Sequence, residues 1–409
     1  MAVPAVVILR ESGETGVAEA VRTDLVLRDW SVTVESFASR VLEARWPAAA
    51  RPAVLAFVPQ QPAQRERGLA RLRRITQADP ENLPIVVCPA DVELPDWVYE
   101  HGVRSVVQAG RVSYDRLFED VFRALVGPLP VWLELRVRPS QMLRPTGVAW
   151  WNEDVFVADE RYEHVVRLGP ADSQVVLPGL FEPHHLHLDR RTLYVANKSA
   201  NELLVAQLVD DMATEVRSVT DCAGPLRCPH DARCAHFVLA VADTDNHRVL
   251  VSRDTNRIED ARWTPVRPER PLRAPCGVHA DADAVWVADT FNHRLVAFDH
   301  DGRQLGAYDG PAGSAFRYPV AVTGWRDFLF VSDEGSERVV ALRRSPTDPA
   351  ALTVHDFAFA GPWVRQTFGL SVNRENRLAV GDRKQKCVWL VDLEQALAAT
   401  PPEPASAAG

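Results

Sequence analysis

Two imidazoles and a thiol recur at one spacing in this chain. His184, His230 and Cys276 each follow a proline (Pro183, Pro229, Pro275), and each proline lies 14 residues before Asn197, Asp243 or Asp289. Imidazole and thiolate are the ligands expected of zinc or another borderline metal such as iron, and three protein ligands leave a position open for water or substrate. A metal held there would acidify its water, which would then act as base or nucleophile. One residue further on stand His185 and Asp231, and two beyond those His187, Arg233 and His279, which a polar ligand could meet. What matters next is the scaffold that would bring equivalent turns around one point.

That scaffold is a repeat. Six opening turns can be read, at Pro145, Pro183, Pro229, Pro275, Pro319 and Thr367, and their second apolar runs end at Asp159, Asn197, Asp243, Asp289, Asp333 and Asp382. The interval is 14 residues in five copies and one longer in the sixth, and the copies recur every 38 to 49 residues with about four strand-sized runs each. A unit of this kind cannot bury its apolar faces alone, and four strands per unit predict a propeller blade. The residue after the proline reads Thr146, His184, His230, Cys276, Val320 and Phe368, so three consecutive blades would present imidazole, imidazole and thiol toward one side of the channel. The sixth copy lacks a fourth strand, which Val131–Val137 would supply, pairing the open edges of the ring. The repeated Asp and the Asn-His-Arg triplets at Asn246 and Asn292 are expected to be scaffold, since a short polar side chain at such a turn bonds backbone amides in every blade alike.

The runs VADTDNHRVLV (Val241–Val251) and VADTFNHRLVAF (Val287–Phe298) are similar to the NHL repeat, and this resemblance, over residues 143–394, implies a six-bladed β-propeller. The Pro-His turns in turn resemble those of peptidyl-hydroxyglycine amidating lyase, whose Pro-His turns hold zinc in its channel. That likeness carries over to His184 and His230, with Cys276 at the equivalent turn. The chain departs from it by placing these turns on neighbouring blades. It also has Arg161, Ser199, Asp245 and Phe291 where the lyase has its acid–base tyrosine.

Ahead of the repeats, apolar runs near residues 3–9, 31–37, 53–58, 84–88 and 103–107 alternate with helix-like segments, predicting a parallel sheet covered on both faces. Residues 1–128 resemble the receiver domain of bacterial two-component systems, a flavodoxin-like α/β fold. The chemistry of a receiver is missing. Arg10 and Glu11 stand where acidic Mg²⁺ ligands belong, Val58-Pro59-Gln60 where the phosphate-accepting Asp should end the third strand, and Gln108-Ala109 in place of the Lys. A docking or dimerising module is expected. Gly127-Pro128 marks the boundary, the propeller is expected over 129–398, and the Pro/Ala-rich tail 399–409 is expected to be disordered.

Composition bounds the function. The 409 residues carry a formal charge of -9, with most of the acidic excess beyond residue 128, which argues against nucleic acid or an anionic membrane as partner. No apolar run reaches a membrane span, the first residues do not read as a secretory signal, and six cysteines do not make a disulfide scaffold, so a cytoplasmic location is expected. Two readings remain. One is a propeller that binds a protein, peptide or small molecule at its face, tethered to a pseudo-receiver; the other is a metal-dependent lyase, hydrolase or oxidase centred on His184, His230 and Cys276.

Overall fold

The interval from proline to aspartate is the register of a hairpin. In the computed structural model of the chain, Pro145 pairs with Asp159, Pro183 with Asn197, Pro229 with Asp243, Pro275 with Asp289, Pro319 with Asp333 and Thr367 with Asp382. The structure describes residues 5–10, 16–28, 30–36, 52–78, 83–89, 91–99, 103–109, 113–127, 129–254, 258, 261–345, 347–348, 351–359 and 364–399. Contacts divide the chain into two compact units, Met1–Pro130 with Val137–Pro139, and Val131–Arg136 with Ser140–Gly409. Among the described residues, no helix is long and apolar enough to cross a membrane.

The second unit is a six-bladed β-propeller. Each blade is an antiparallel four-stranded sheet, and the six inner strands (Pro145–Trp151, Pro183–Asp189, Pro229–Ala235, Pro275–Ala280, Pro319–Trp325, Thr367–Val372) pack side by side around the ring. In the sixth blade the outer strand is Leu133–Arg136, paired with Cys387–Asp392, so the first and last parts of this unit share one sheet and the edge of Cys387–Asp392 is covered. The last described element is a helix, Leu393–Ala399, so Ala399, read as the start of a disordered tail, is helical; residues 400–409 of that tail lie outside the described residues.

The repeated carboxylates hold the blades together. Asp289 is fully buried and accepts the Arg273 N–H (2.7 Å), the Asn292 amide (2.8 Å) and the Arg294 Nε (2.8 Å), and Asp243 makes the same set with Arg227, Asn246 and Arg248. The residue before the third strand is left-handed in every blade: Glu163, Asn201, His247, His293, Glu337 and Lys386 have φ between 52° and 58°. From there the His247 Nδ1 accepts the Ala274 N–H of the next blade (3.1 Å), as the Asn201 side chain accepts that of Cys228 (2.8 Å). The Asn-His-Arg triplet therefore splices blade to blade.

Neighbouring inner strands approach so closely that the third residue of the inner strand is glycine in three blades, Gly147, Gly277 and Gly369. A Cβ on Gly277 would lie 2.7 Å from both the Ala321 Cα and the Val320 O, which are backbone atoms no rotamer change can move. Gly277→Val is expected to destabilise the propeller by about 3 kcal/mol, read as a lowered unfolding midpoint in calorimetry; an unchanged midpoint would show that the ring breathes freely at this contact.

In the first unit, strands β1 (Ala5–Arg10), β2 (Ser31–Ser36), β3 (Ala53–Phe57), β4 (Ile85–Pro89) and β5 (Ser105–Ala109) form one parallel sheet in the order β2-β1-β3-β4-β5. Helices α1 (Gly16–Val26), α2 (Pro62–Ala78) and α3 (Tyr114–Val126) lie between or after the strands. Glu119 of α3 is buried and accepts the Val137 N–H (2.9 Å) beside an ion pair with Arg138, which ties the segment Val137–Pro139 into this unit. Of the positions compared with a receiver, Glu11 lies outside the described residues.

Candidate functional site: the propeller channel

Every inner strand carries a register shift just after its first residue, and such bulges re-aim the side chains that follow. Two repeat columns turned by this device fill different levels of the channel.

The first column, directly after the proline, forms a plug. His184 meets His230 edge to face at 4.0 Å between ring centroids and Phe368 at 4.8 Å, while His185 stacks on Phe368 at 5.5 Å. The Nδ1 atoms of His184 and His185 are 3.1 Å apart, and both face the His230 carbonyl (3.3 and 3.1 Å). Above them the Arg383 guanidinium covers the Phe368 ring at 4.5 Å and pairs with Glu160 (2.7 Å), which also holds Lys198 (3.4 Å). Burial, reinforced by these cations and by the other imidazoles, holds His184 well below its ordinary pKa, and burial first of all takes His230 to about 3. Thr146 fills blade one at this level, donating to the Pro183 carbonyl (2.9 Å).

Among the described residues no group of three or more His, Cys, Asp or Glu side chains stands where it could hold a metal ion. His184 and His230 meet through ring packing, with the His184 Nδ1 already engaged, and the Cys276 thiol leans on the Ala274 carbonyl of its own turn (3.6 Å). Burial pushes that thiol up to about 12. Cys222, Cys228 and Cys234 are free thiols held up in the same way, at about 12, 11 and 11.

The second column, four residues after the proline, lines a cavity. Ala149, His187, Arg233, His279, Thr323 and Ser371 come one from each blade and surround a space of about 540 Å³. Arg233 crosses the axis: its Nη2 donates to the Leu370 carbonyl of the sixth blade (2.9 Å), its Nε lies 3.4 Å from Asp231, and its Nη1 faces the His187 Nδ1 at 3.5 Å. The His187 Nε2 donates to the Cys234 carbonyl (2.8 Å), so the ring is neutral with its lone pair toward Arg233. Burial, with the Arg233 charge adding to it, takes His187 to about 3. Burial likewise takes His279 to about 4, against the opposing pull of Asp281. Asp231 is fully buried and accepts the Val278 N–H (3.0 Å). The rim holds Trp150, Trp151 and Trp325, with Arg190 and Arg374 set against Asp189 and Glu375.

Of the residues singled out in the sequence, the structure puts His187, Arg233 and His279 in the cavity wall, Asp231 buried behind it, and His184, His185 and His230 in the plug. Cys276 joins none of these groups among the described contacts. The tryptophans and rim arginines escaped notice because they lie past the repeat motif, where the inner strand ends. Reading that column across the blades would have shown tryptophan in the first and fifth.

No protein-family model matches the chain, and no curated protein matches its sequence. Among solved structures it is similar to that of a nidogen/laminin complex (18% identity, TM-score 0.47, covering 57% of this chain and 86% of that one). It is also similar to a periplasmic gluconolactonase of Pseudomonas aeruginosa (17%, 0.46, 60% and 80%) and to a PQQ-bound aldose sugar dehydrogenase of Streptomyces coelicolor (11%, 0.45, 64% and 99%). None of these likenesses carries an inference about chemistry.

Proposed function

We propose that the chain is a binding protein: an NHL-type propeller that takes a small molecule into its axial cavity, joined to a receiver-like module that docks or dimerises. The observation that carries this reading is the asymmetry of the channel. One level is filled by His184, His185, His230 and Phe368, and the other is a cavity to which all six blades contribute. A space of this size, apolar at its indoles and polar at its floor, has the character of small-ligand sites. The NHL assignment is supported by the left-handed His247 and His293 and by their role between blades. The receiver-like assignment is supported by the strand order, which is that of doubly wound flavodoxin-like sheets. A metal-dependent enzyme at the entry turns is the weaker reading, because the imidazoles there are engaged with one another and with Phe368.

Filling the cavity tests the proposal. Ala235 lines it at the end of its strand, where it also packs against the core, so Ala235→Trp is expected to abolish the thermal stabilisation that small-molecule ligands give the parent chain, with a cooperative unfolding transition of the variant showing that it folds. Ligands that stabilise both proteins equally would place binding elsewhere and sink this reading.

A further inference from the structure

We propose that the cavity selects a carboxylic acid, a monoanion with a flat or cyclic apolar body, whose carboxylate is seated on Arg233; this rests on the cavity being the ligand site. A guanidinium has five N–H groups, of which Arg233 commits one from each nitrogen, to Asp231, to His187 and to Leu370. Each terminal nitrogen keeps one N–H, and two parallel N–H donors are what a carboxylate takes up in bidentate fashion. The fork is fixed before any ligand arrives, because its anchors come from the second, third and sixth blades. Preorganisation of this kind lowers the entropic cost of binding.

The surroundings set the charge of the ligand. Asp231 lies behind the guanidinium, fully buried, and compensates part of its charge. Beside it His187 and His279 are neutral, and Asp281, the carboxylate nearest His279 (3.8 Å), is paired with Arg344. One partly compensated cation suits one negative charge and would leave a phosphate dianion under-neutralised. The rim carries Arg190 and Arg374 together with Asp189 and Glu375, two charges of each sign, so these four add no net positive charge to that of Arg233.

The apolar body follows from the indoles. Trp150 donates to the Ser371 carbonyl (3.0 Å), Trp151 to Asp211 (2.6 Å) and Trp325 to Asn376 (2.9 Å), so each ring N–H is engaged. The rings are thus pinned, Trp150 and Trp325 further by Arg377 and Arg326 over their rings, and what they leave to the cavity is carbon surface rather than donors. A ring or flat chain beyond the carboxylate would rest there.

Matched probes test this on the full chain without any substitution. Benzoate, cyclohexanecarboxylate and indole-3-carboxylate are titrated beside their primary amides by ligand-observed NMR, with Ala235→Trp as the filled-cavity control. The acids are expected to bind about 10- to 100-fold more tightly than the amides, and to lose binding in Ala235→Trp. Arg233→Gln is expected to bring each acid down to the level of its amide; should that variant not fold, the matched pairs on the parent chain decide alone. Acid and amide binding equally well in the cavity would overturn the carboxylate assignment and leave the cavity reading standing. If neither member of any pair binds, or if binding survives in Ala235→Trp, the cavity reading falls and this one with it.

Discussion

Asp289→Ala is expected to cost the propeller about 3–5 kcal/mol, the range for removing one partner of a buried, hydrogen-bonded ion pair. The carboxylate is fully buried, and the Arg294 side chain beside it is only 6% exposed, so its loss strands a guanidinium with no water to take over. It also orphans the Arg273 N–H and the Asn292 amide. The second blade shows how the pair can be rewired. There Asn197 stands for the aspartate and Glu202 for the arginine: the Asn197 carbonyl accepts the Phe181 N–H (2.7 Å), while its amide donates to Glu202 (2.6 Å). Donor and acceptor have changed places with the geometry kept. Asp289→Asn combined with Arg294→Glu should therefore recover much of what either change loses alone, giving a coupling energy of a few kcal/mol in a double-mutant cycle. Unfolding midpoints of the full chain in urea measure it, and simple additivity of the two changes would show that the pair is not a unit.

The fold was legible because this scaffold repeats. A Pro and an Asp at constant interval are strand partners, and six such hairpins in series permit little other than a ring of blades. The channel was legible only by column. His184, His230 and Cys276 share a repeat position, and the sequence suggested they would act together. In the structure His184 packs on His230 and on Phe368 of the sixth blade, while the Cys276 thiol meets the Ala274 carbonyl of its own turn and the Thr290 side chain. The link between Arg233 and the Leu370 carbonyl spans 137 residues and ends on a backbone atom, so no residue type announces it. The indoles at the rim stand at the ends of inner strands, past the repeated motif, and their role comes from shape rather than motif.

Mild acid is expected to unfold the propeller, and the channel histidines give the pH window. His184, His185, His187, His230 and His279 all have pKa values depressed by burial, with His187 and His230 at about 3 and His279 at about 4, against an ordinary value of 6.5. Above that value the imidazoles are neutral both folded and unfolded, and stability does not depend on them. As the pH falls below it the unfolded chain takes up protons that the folded channel refuses, so stability declines until the folded values are reached. Each refused proton contributes a slope of up to about 1.4 kcal/mol per pH unit. His184 and His185 cannot both charge, since their Nδ1 atoms are 3.1 Å apart, and a proton on His187 would face the Arg233 guanidinium. Carboxylates at their ordinary values remain ionised down to about pH 5; burial raises Asp382, whose proton uptake in the folded state runs against the histidine trend, so the slope over the interval from there to 6.5 is the histidine contribution less that of Asp382. Stability measured by urea unfolding should fall across it with a slope corresponding to the uptake of more than one proton. His187→Gln, which keeps a donor for the Cys234 carbonyl, should reduce that slope by up to the contribution of one proton. A flat profile in this interval would mean that the channel admits water and that its imidazoles titrate as they do in solution.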